Sequence, residues 1–141
     1  MNKIITSINT LLCRLKIARL LGKSFRSRDR GDLTSSIYYL EKVIELDEKC
    51  HDDVKYQVAT EELFNHYMKQ DNVTKAIDRG LLSLKILMNA EYCNLSFFEK
   101  LGVSRAPFLY ELCAALEQHN PEHPEIQLLK TIISKYETST N

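Results

Sequence analysis

The sequence predicts an all-helical protein in which about six helices form antiparallel hairpins, stacked as a short solenoid or packed as a compact bundle. Apolar residues recur at steps of three and four along most of the chain, which is the period of a helix and not of a strand. The 141 residues include only four glycines and three prolines, too few for the tight turns of an all-β fold. This length suits a single domain, residues 1–141.

The first predicted helix runs from about residue 3 to the high twenties and is basic. Residues 1–30 carry a net charge of +7, whereas residues 31–141 carry −7, so the molecule is polarised. The sequence leaves open whether residues 1–30 pack in the core, form a docking surface or act as a transit segment. The apolar positions at the helical period are Ile4, Ile8, Leu11, Leu15 and Ala18, with Ile5, Leu12 and Leu21 beside them.

Helix-capping signals mark the next three helices, predicted over residues 32–48, 52–70 and 72–88. Gly31 can take the left-handed conformation that ends a helix, and a polar side chain opens each helix that follows. The capping candidates are Asp32, Asp52 or Asp53, and Asn72.

A C-terminal helical pair is predicted in residues 93–137. Ser96 to Glu99 has the spacing of a capping box, which indicates a short helix. Pro107 suits the first turn of a long helix and Pro124 the first residue of the last one. Residues 138–141 should be frayed.

The segment Gly31–Asp47 reads GDLTSSIYYLEKVIELD and resembles the second helix of a tetratricopeptide unit, commonly G-D-x-x-x-A-I-x-x-Y/F-x-x-A-L-x-L-D/N-P. Ser36 then occupies the tight contact between helices, and Ala76 holds the same slot in a second unit. These positions are 40 residues apart, longer than the standard repeat of about 34. The resemblance covers roughly residues 20–88. The other residues that carry it are Leu40, Val43, Leu63, Phe64, Tyr67, Asp71, Asn72, Ile77, Gly80 and Ser83.

The resemblance implies a concave groove that holds a peptide or the surface of a partner. A plain helical bundle, which would show the same apolar periods, is the alternative. By the resemblance, the groove positions of the second unit are Val58, Glu61, Asn65, Met68 and Lys69.

Patterns for catalysis or metal binding are weak. Cys50 and His51 are neighbours in a turn, where adjacent side chains seldom cooperate. His119 and His123 have metal-ligand spacing but no further ligands in the sequence. We therefore expect neither an enzyme nor a metal or other cofactor. The cysteines are widely scattered, which predicts reduced thiols, mostly in the core: Cys13, Cys50, Cys93 and Cys113.

The sequence thus favours a cytoplasmic, non-catalytic protein-interaction module, an adaptor or chaperone, that binds a protein through its groove, its basic first helix or both. An acidic partner would suit the helix. One alternative is an immunity protein that neutralises a toxin. Another alternative is that the basic helix binds nucleic acid or an anionic membrane. Nucleic acid is disfavoured because aromatic residues for base stacking are not interleaved with the basic ones. Membrane contact requires Ile4, Ile8 and Leu11 to lie outside the core. Homo-oligomerisation stays open. The basic residues expected to bind are Arg14, Arg19, Lys23, Arg26, Arg28 and Arg30.

Overall fold

The computed structural model describes residues 2–87 and 106–140, and all of the regular structure in these ranges is α-helical, which confirms the predicted fold class. The chain divides into two compact units, Met1–Asn72 and Val73–Asn141. The predicted short helix near Ser96 and the end of the fourth helix at Met88 lie outside the described residues. The helices are α1 (Asn2–Asp29), α2 (Leu33–Cys50), α3 (Asp53–Lys69), α4 (Val73–Leu87), α5 (Ala106–His119) and α6 (Glu125–Thr140).

The turns of the first unit are built as the capping signals predicted. Gly31 has a φ of +79°, and the Asp32 carboxylate accepts a hydrogen bond from the Ser35 amide at 3.1 Å. Asp52 likewise caps α3 by accepting from the Lys55 amide at 3.3 Å. The Asp47 carboxylate accepts from the Asp52 amide at 2.8 Å, which fixes the link between α2 and α3.

The core of the first unit forms where α1 and α3 pack on α2. Full burial of an aliphatic or aromatic side chain stabilises a fold by about 1.5–3 kcal/mol, so this cluster supplies much of the unit's stability. Its fully buried large apolar residues are Ile17 of α1, Leu40 of α2, and Leu63 and Phe64 of α3.

Helix α1 is much longer than the helix on which it packs. It has 28 residues against 18 for α2, or about 42 Å against about 27 Å. Cys13 of α1 lies beside Cys50, the last residue of α2, so residues 2–12 extend past the end of α2. We call residues 2–12 the overhang. From Lys3 to Leu12 its side chains are exposed, apart from the half-buried Thr10.

The expectation of reduced, scattered thiols is wrong for one pair of cysteines. Cys13 and Cys50 form a disulfide, with their Cα atoms 5.7 Å apart. The reason is the antiparallel packing of α1 on α2, which brings together two residues that lie almost equally far from the turn at Gly31. Cys113 is a free, buried thiol, as predicted.

The second unit contains α4, α5 and α6, with α5 in contact with both of the others. Pro124 lies one residue before α6 and so starts it close to the predicted position. Lys130 of α6 forms an ion pair with Glu117 of α5 at 3.0 Å. Buried apolar residues of α5 and α6 form the core: Phe108, Leu109, Leu112, Leu116, Ile126 and Leu129.

Candidate functional site

The main surface feature of the first unit is a set of large aliphatic side chains on α1 that point away from α2. At 100° per residue they span an arc of about 120°. Ile17 and Leu21, which face the core, lie on the other side of the helix. We call this surface the outward face of α1. Its six aliphatic residues are between 49% and 66% exposed: Ile4, Ile5, Ile8, Leu11, Leu12 and Leu15.

The outward face becomes cationic toward the C-terminal end of α1. Arg19, Lys23 and Arg26 follow Leu15 on the same side of the helix. Because Ala18 and Gly22 between them are small, the surface is hollowed there into a shallow depression of about 470 Å³. The face is thus aliphatic along one half and basic along the other, with no acidic residue in α1 before Asp29.

Two of the other predicted basic residues, Arg28 and Arg14, make contacts within the first unit. The Arg28 guanidinium pairs with Glu62 of α3 at 3.2 Å and lies 4.9 Å from the centre of the Phe25 ring. Arg14 donates to the carbonyl oxygen of His51 at 3.4 Å. Arg30 is exposed in the turn after α1. The predicted basic set therefore divides, and Arg19, Lys23 and Arg26 are the part on the outward face.

The five predicted groove residues share one side of α3, opposite its buried side. Asn65 and Lys69 are exposed, while Val58, Glu61 and Met68 are half-buried. The Glu61 carboxylate accepts a hydrogen bond from the side-chain amide of Gln57 at 3.0 Å. The structure thus brings these side chains together on one helix and places the basic set on another.

A buried polar network links the three helices of the first unit. The Ser24 and Ser36 hydroxyl oxygens are 2.7 Å apart, and the Ser36 oxygen is 2.9 Å from Nε2 of His66. Burial lowers the pKa of His66, partly offset by Glu62, so the ring is neutral at pH 7. Nδ1 of His66 is buried and has no hydrogen-bond partner among the described residues. A neutral ring with its proton on Nε2 donates a hydrogen bond to the Ser36 oxygen. The atom left without a partner is then Nδ1, an acceptor, and not a buried N–H donor.

This network contains the residue types of a nucleophile, a base and an acid but not their geometry. The Glu62 carboxylate lies 3.6 Å from the same Nε2 that contacts Ser36, whereas a relay needs the acid at Nδ1. Ser36 is also fully buried, out of reach of a substrate. Sequence reasoning overlooked His66, although its spacing of four residues from Glu62 on a helix was the available signal.

Two tyrosines of α2 each lie beside a lysine, one from α1 and one from α2. The Lys23 ammonium is 5.8 Å from the centre of the Tyr39 ring, and the Lys42 ammonium is 5.7 Å from that of Tyr38. The sequence did not predict this arrangement, because the tyrosines lie far from the basic run and only helix packing brings them to it. Glu45 and Glu48 line the same surface, which weakens its attraction for anions.

The second unit has a cleft of about 620 Å³ between α4 and the start of α6. The predicted pair His119 and His123 does not supply a metal site here: His119 is exposed, and Nδ1 of His123 accepts from the Glu125 amide at 3.1 Å. Within the described ranges, no three His, Cys, Asp or Glu side chains cluster as metal ligands would. The cleft is lined by Asp78, Leu81, Leu82, Leu84, Lys85, His123, Glu125 and Leu128.

Comparison with protein-family models, with curated proteins and with solved structures found no match to this chain. Over the residues that the structure describes, none of the helices combines the length and apolar character needed to cross a membrane.

Proposed function

We propose that this chain is a non-catalytic protein-interaction module, adaptor-like or chaperone-like, which binds a protein partner on the outward face of α1. The observation that carries the proposal is the exposure of the six large aliphatic side chains from Ile4 to Leu15, each at least 49% exposed. Scattered exposed aliphatic residues are ordinary, but a contiguous set on one face marks an interaction surface.

Covering this face would release substantial free energy. Since full burial of an Ile or Leu side chain is worth about 1.5–3 kcal/mol, covering the exposed half of six of them is worth roughly 5–9 kcal/mol. Losses of translational and side-chain freedom reduce that gain. Apolar contact along the outward face can therefore contribute strongly to binding, with the basic residues adding orientation.

A bound partner would stabilise the overhang more than any other part of α1. Isolated helices of fewer than about 12 residues are marginal in water, and the overhang has no α2 residues beneath it. No acidic residue stands in its first turn, where one would favour the helix dipole, and Lys3 has the unfavourable sign. A protein that packs on Ile4, Ile8 and Leu11 would stabilise a segment to which the described residues give little other tertiary support.

The proposal retains the α3 residues as a second contact surface. Asn65 and Lys69 are exposed and could touch a partner without rearrangement. A tetratricopeptide-like groove in this region also stays part of the proposal. Its support is Ser36, which is fully buried beside Ser24 of α1, as the small residue at a tight helix contact should be.

Localisation in the cytoplasm also belongs to this proposal, and the state of Cys13 and Cys50 tests it. Glutathione and thioredoxin keep most cytosolic thiols reduced, whereas structural disulfides persist in oxidising compartments. The structure holds these two cysteines as a disulfide, which argues against a cytoplasmic location. Rapid alkylation of fractionated native cells followed by mass spectrometry decides the question: free thiols in the cytoplasmic fraction would support the proposal, and a quantitative disulfide would place the protein in an oxidising compartment.

An anionic membrane surface is a second candidate partner. The sequence made lipid contact conditional on Ile4, Ile8 and Leu11 lying outside the core, and all three are exposed. Arg19, Lys23 and Arg26 on the same face would contact headgroups.

A comparison of two single variants in affinity capture tests the proposed function. Leu11→Glu places a charge in the aliphatic half of the outward face, whereas Asn9→Glu places the same charge on the opposite, exposed side of the same turns. Proteins that the wild type and Asn9→Glu recover from native lysate, but Leu11→Glu does not, would support the proposal. Equal recovery by both variants would refute docking on this face.

A further inference from the structure

We propose that the element that docks on the outward face of α1 is an amphipathic helix of a partner protein, with acidic residues flanking its apolar seam. This inference rests on the proposed function and adds the chemistry of the partner. The spacing of the apolar residues, the small residues in the depression and the positions of the arginines support it.

The outward face has the spacing of a helix-pairing seam. Its central positions follow one another at alternating steps of four and three, which is the 3.5-residue period of helices that pack side by side along their length. This period continues past the overhang into the part of α1 that packs on α2. A partner helix could therefore contact both the unsupported and the supported halves of α1. The seam residues are Ile4, Ile8, Leu11, Leu15, Ala18 and Gly22.

The side chains of the seam change in size along α1, and this determines which side chains a partner helix needs at each position. From Ile4 to Leu15 the residues are large and would interdigitate with side chains of ordinary size. At Ala18 and Gly22 the surface is hollowed, so a partner needs a larger side chain there or a closer backbone approach. A Cβ added at Gly22 would lie 3.3 Å from the Arg26 guanidinium, so a larger residue would fill the depression.

The charges beside the seam determine the sign of the partner. In the seam's heptad, Arg19 and Arg26 flank it on one side, and Arg14, which also donates to the His51 carbonyl oxygen, flanks it on the other. Flanking charges of this kind pair with the equivalent positions of the neighbouring helix and select it. Because all three are arginines, the complementary helix carries Glu or Asp there.

The same charges argue against a second copy of this chain on the face. If two α1 helices paired through their seams, arginine would face arginine across the contact in either orientation, which is destabilising.

A lipid surface fits the arrangement less well than an acidic helix. Helices that lie in a membrane interface keep their basic residues on the face away from the lipid. Here Arg19, Lys23 and Arg26 lie on the outward face itself, in line behind the aliphatic residues. In the overhang, the side away from the aliphatic residues carries Thr6, Asn9 and Thr10 with a single cation, Lys3.

A charge-swap experiment with synthetic helices tests this inference. The probes are two peptides of about three heptads with Ile and Leu in the seam, one with Glu and the other with Lys at the flanking positions. We expect the wild-type chain to bind the Glu peptide about tenfold more tightly than the Lys peptide, since several weak ion pairs change sign together. Arg19→Glu with Arg26→Glu should reverse this preference. Gly22→Leu should weaken binding while preserving helix content, because Leu is the better helix former.

The outcomes separate this inference from the proposed function. Equal binding of both peptides, or binding of neither, would overturn the acidic-helix inference, while the capture experiment with Leu11→Glu and Asn9→Glu still decides whether a protein docks on the face. A third probe, vesicles of phosphatidylcholine and phosphatidylserine, tests the lipid alternative. Vesicle binding that Leu11→Glu abolishes, with neither peptide bound, would overturn the inference in favour of a membrane surface.

Discussion

Cys13 in α1 and Cys50 at the end of α2 are joined by a disulfide that marks where α1 leaves the support of α2. On one side of it, Ile17 and Leu21 of α1 are buried in the core of the first unit. On the other side, the overhang carries exposed aliphatic residues. The disulfide thus anchors α1 at the base of the segment that we propose as a docking surface.

Loss of this disulfide should destabilise the first unit. The cross-link closes a loop with a sequence separation of 37, for which the chain-entropy model gives about 4 kcal/mol. Replacing Cys13 and Cys50 together by Ser should lower the free energy of unfolding by about 2–4 kcal/mol in chemical denaturation followed by circular dichroism. Reductant should destabilise the wild type but have no further effect on the double variant. Equal stability with and without reductant would show that the bond contributes nothing.

Two glycines of the first unit should respond to alanine in opposite directions. Gly31 has a φ of +79°, and no atom of the described residues lies within 4 Å of an added Cβ. Gly31→Ala therefore introduces backbone strain alone and should cost about 1 kcal/mol. Gly22 lies inside α1, where Gly22→Ala should stabilise the helix by about 0.5–1 kcal/mol. Denaturation midpoints of the two variants would test this, and shifts of the same sign would contradict the account.

Ser36 should matter more than its size suggests. Its hydroxyl contacts both Ser24 and His66, so Ser36→Ala leaves buried polar groups without their partner and should cost about 1–3 kcal/mol. Thr34→Ala on the exposed surface of the same helix is the matched control and should change stability by less than about 0.5 kcal/mol. Equal effects of the two substitutions in denaturant unfolding would exclude a structural role for the network.

The stability of the first unit should decrease at mildly acidic pH because of His66. Burial lowers its pKa below the ordinary value of about 6.5, with Glu62 opposing and Lys69 and Arg28 adding to the shift. The unfolded chain therefore takes up a proton first, and stability is lost as the pH falls from about 6.5 toward the folded-state pKa. NMR titration should find the pKa of His66 below 6.5.

The variant His66→Gln should show a weaker pH dependence of unfolding, since an amide donor can replace Nε2 without titrating. His119→Gln, which removes an exposed histidine, is the matched control for the loss of an imidazole. A His66 pKa at or above 6.5 would mean that the ring is not buried as described.

The sequence predicted helix boundaries well because their signals are local. Gly31, Asp32 and Asp52 act on backbone groups within a few residues, so their roles can be predicted from the local sequence without knowledge of the tertiary structure. By contrast, the pairing of Cys13 with Cys50 depends on how two helices pack. Both cysteines lie nearly the same number of residues from Gly31. In an antiparallel helical hairpin that turns at Gly31, two such residues lie side by side, and this was the signal for the disulfide in the sequence.

The candidate site was only partly predictable for a related reason. The apolar residues of a helix have the same period whether they pack in the helix's own core or contact a partner protein. The spacing of the residues from Ile4 to Leu15 therefore did not show whether they are buried or exposed. Their direction became clear only when Ile17 and Leu21 were found on the buried side. The division of the basic residues depended on α3, because Glu62 pairs with Arg28.

The most direct test of docking on α1 is photo-crosslinking in native lysate, with a photoreactive amino acid placed at Leu11 or at Asn65. Both positions are exposed, the first on the outward face and the second among the predicted groove residues of α3. The account predicts a discrete protein adduct from position 11 that the Arg19→Glu, Arg26→Glu variant weakens. Protein adducts from position 65 with none from position 11 would contradict it.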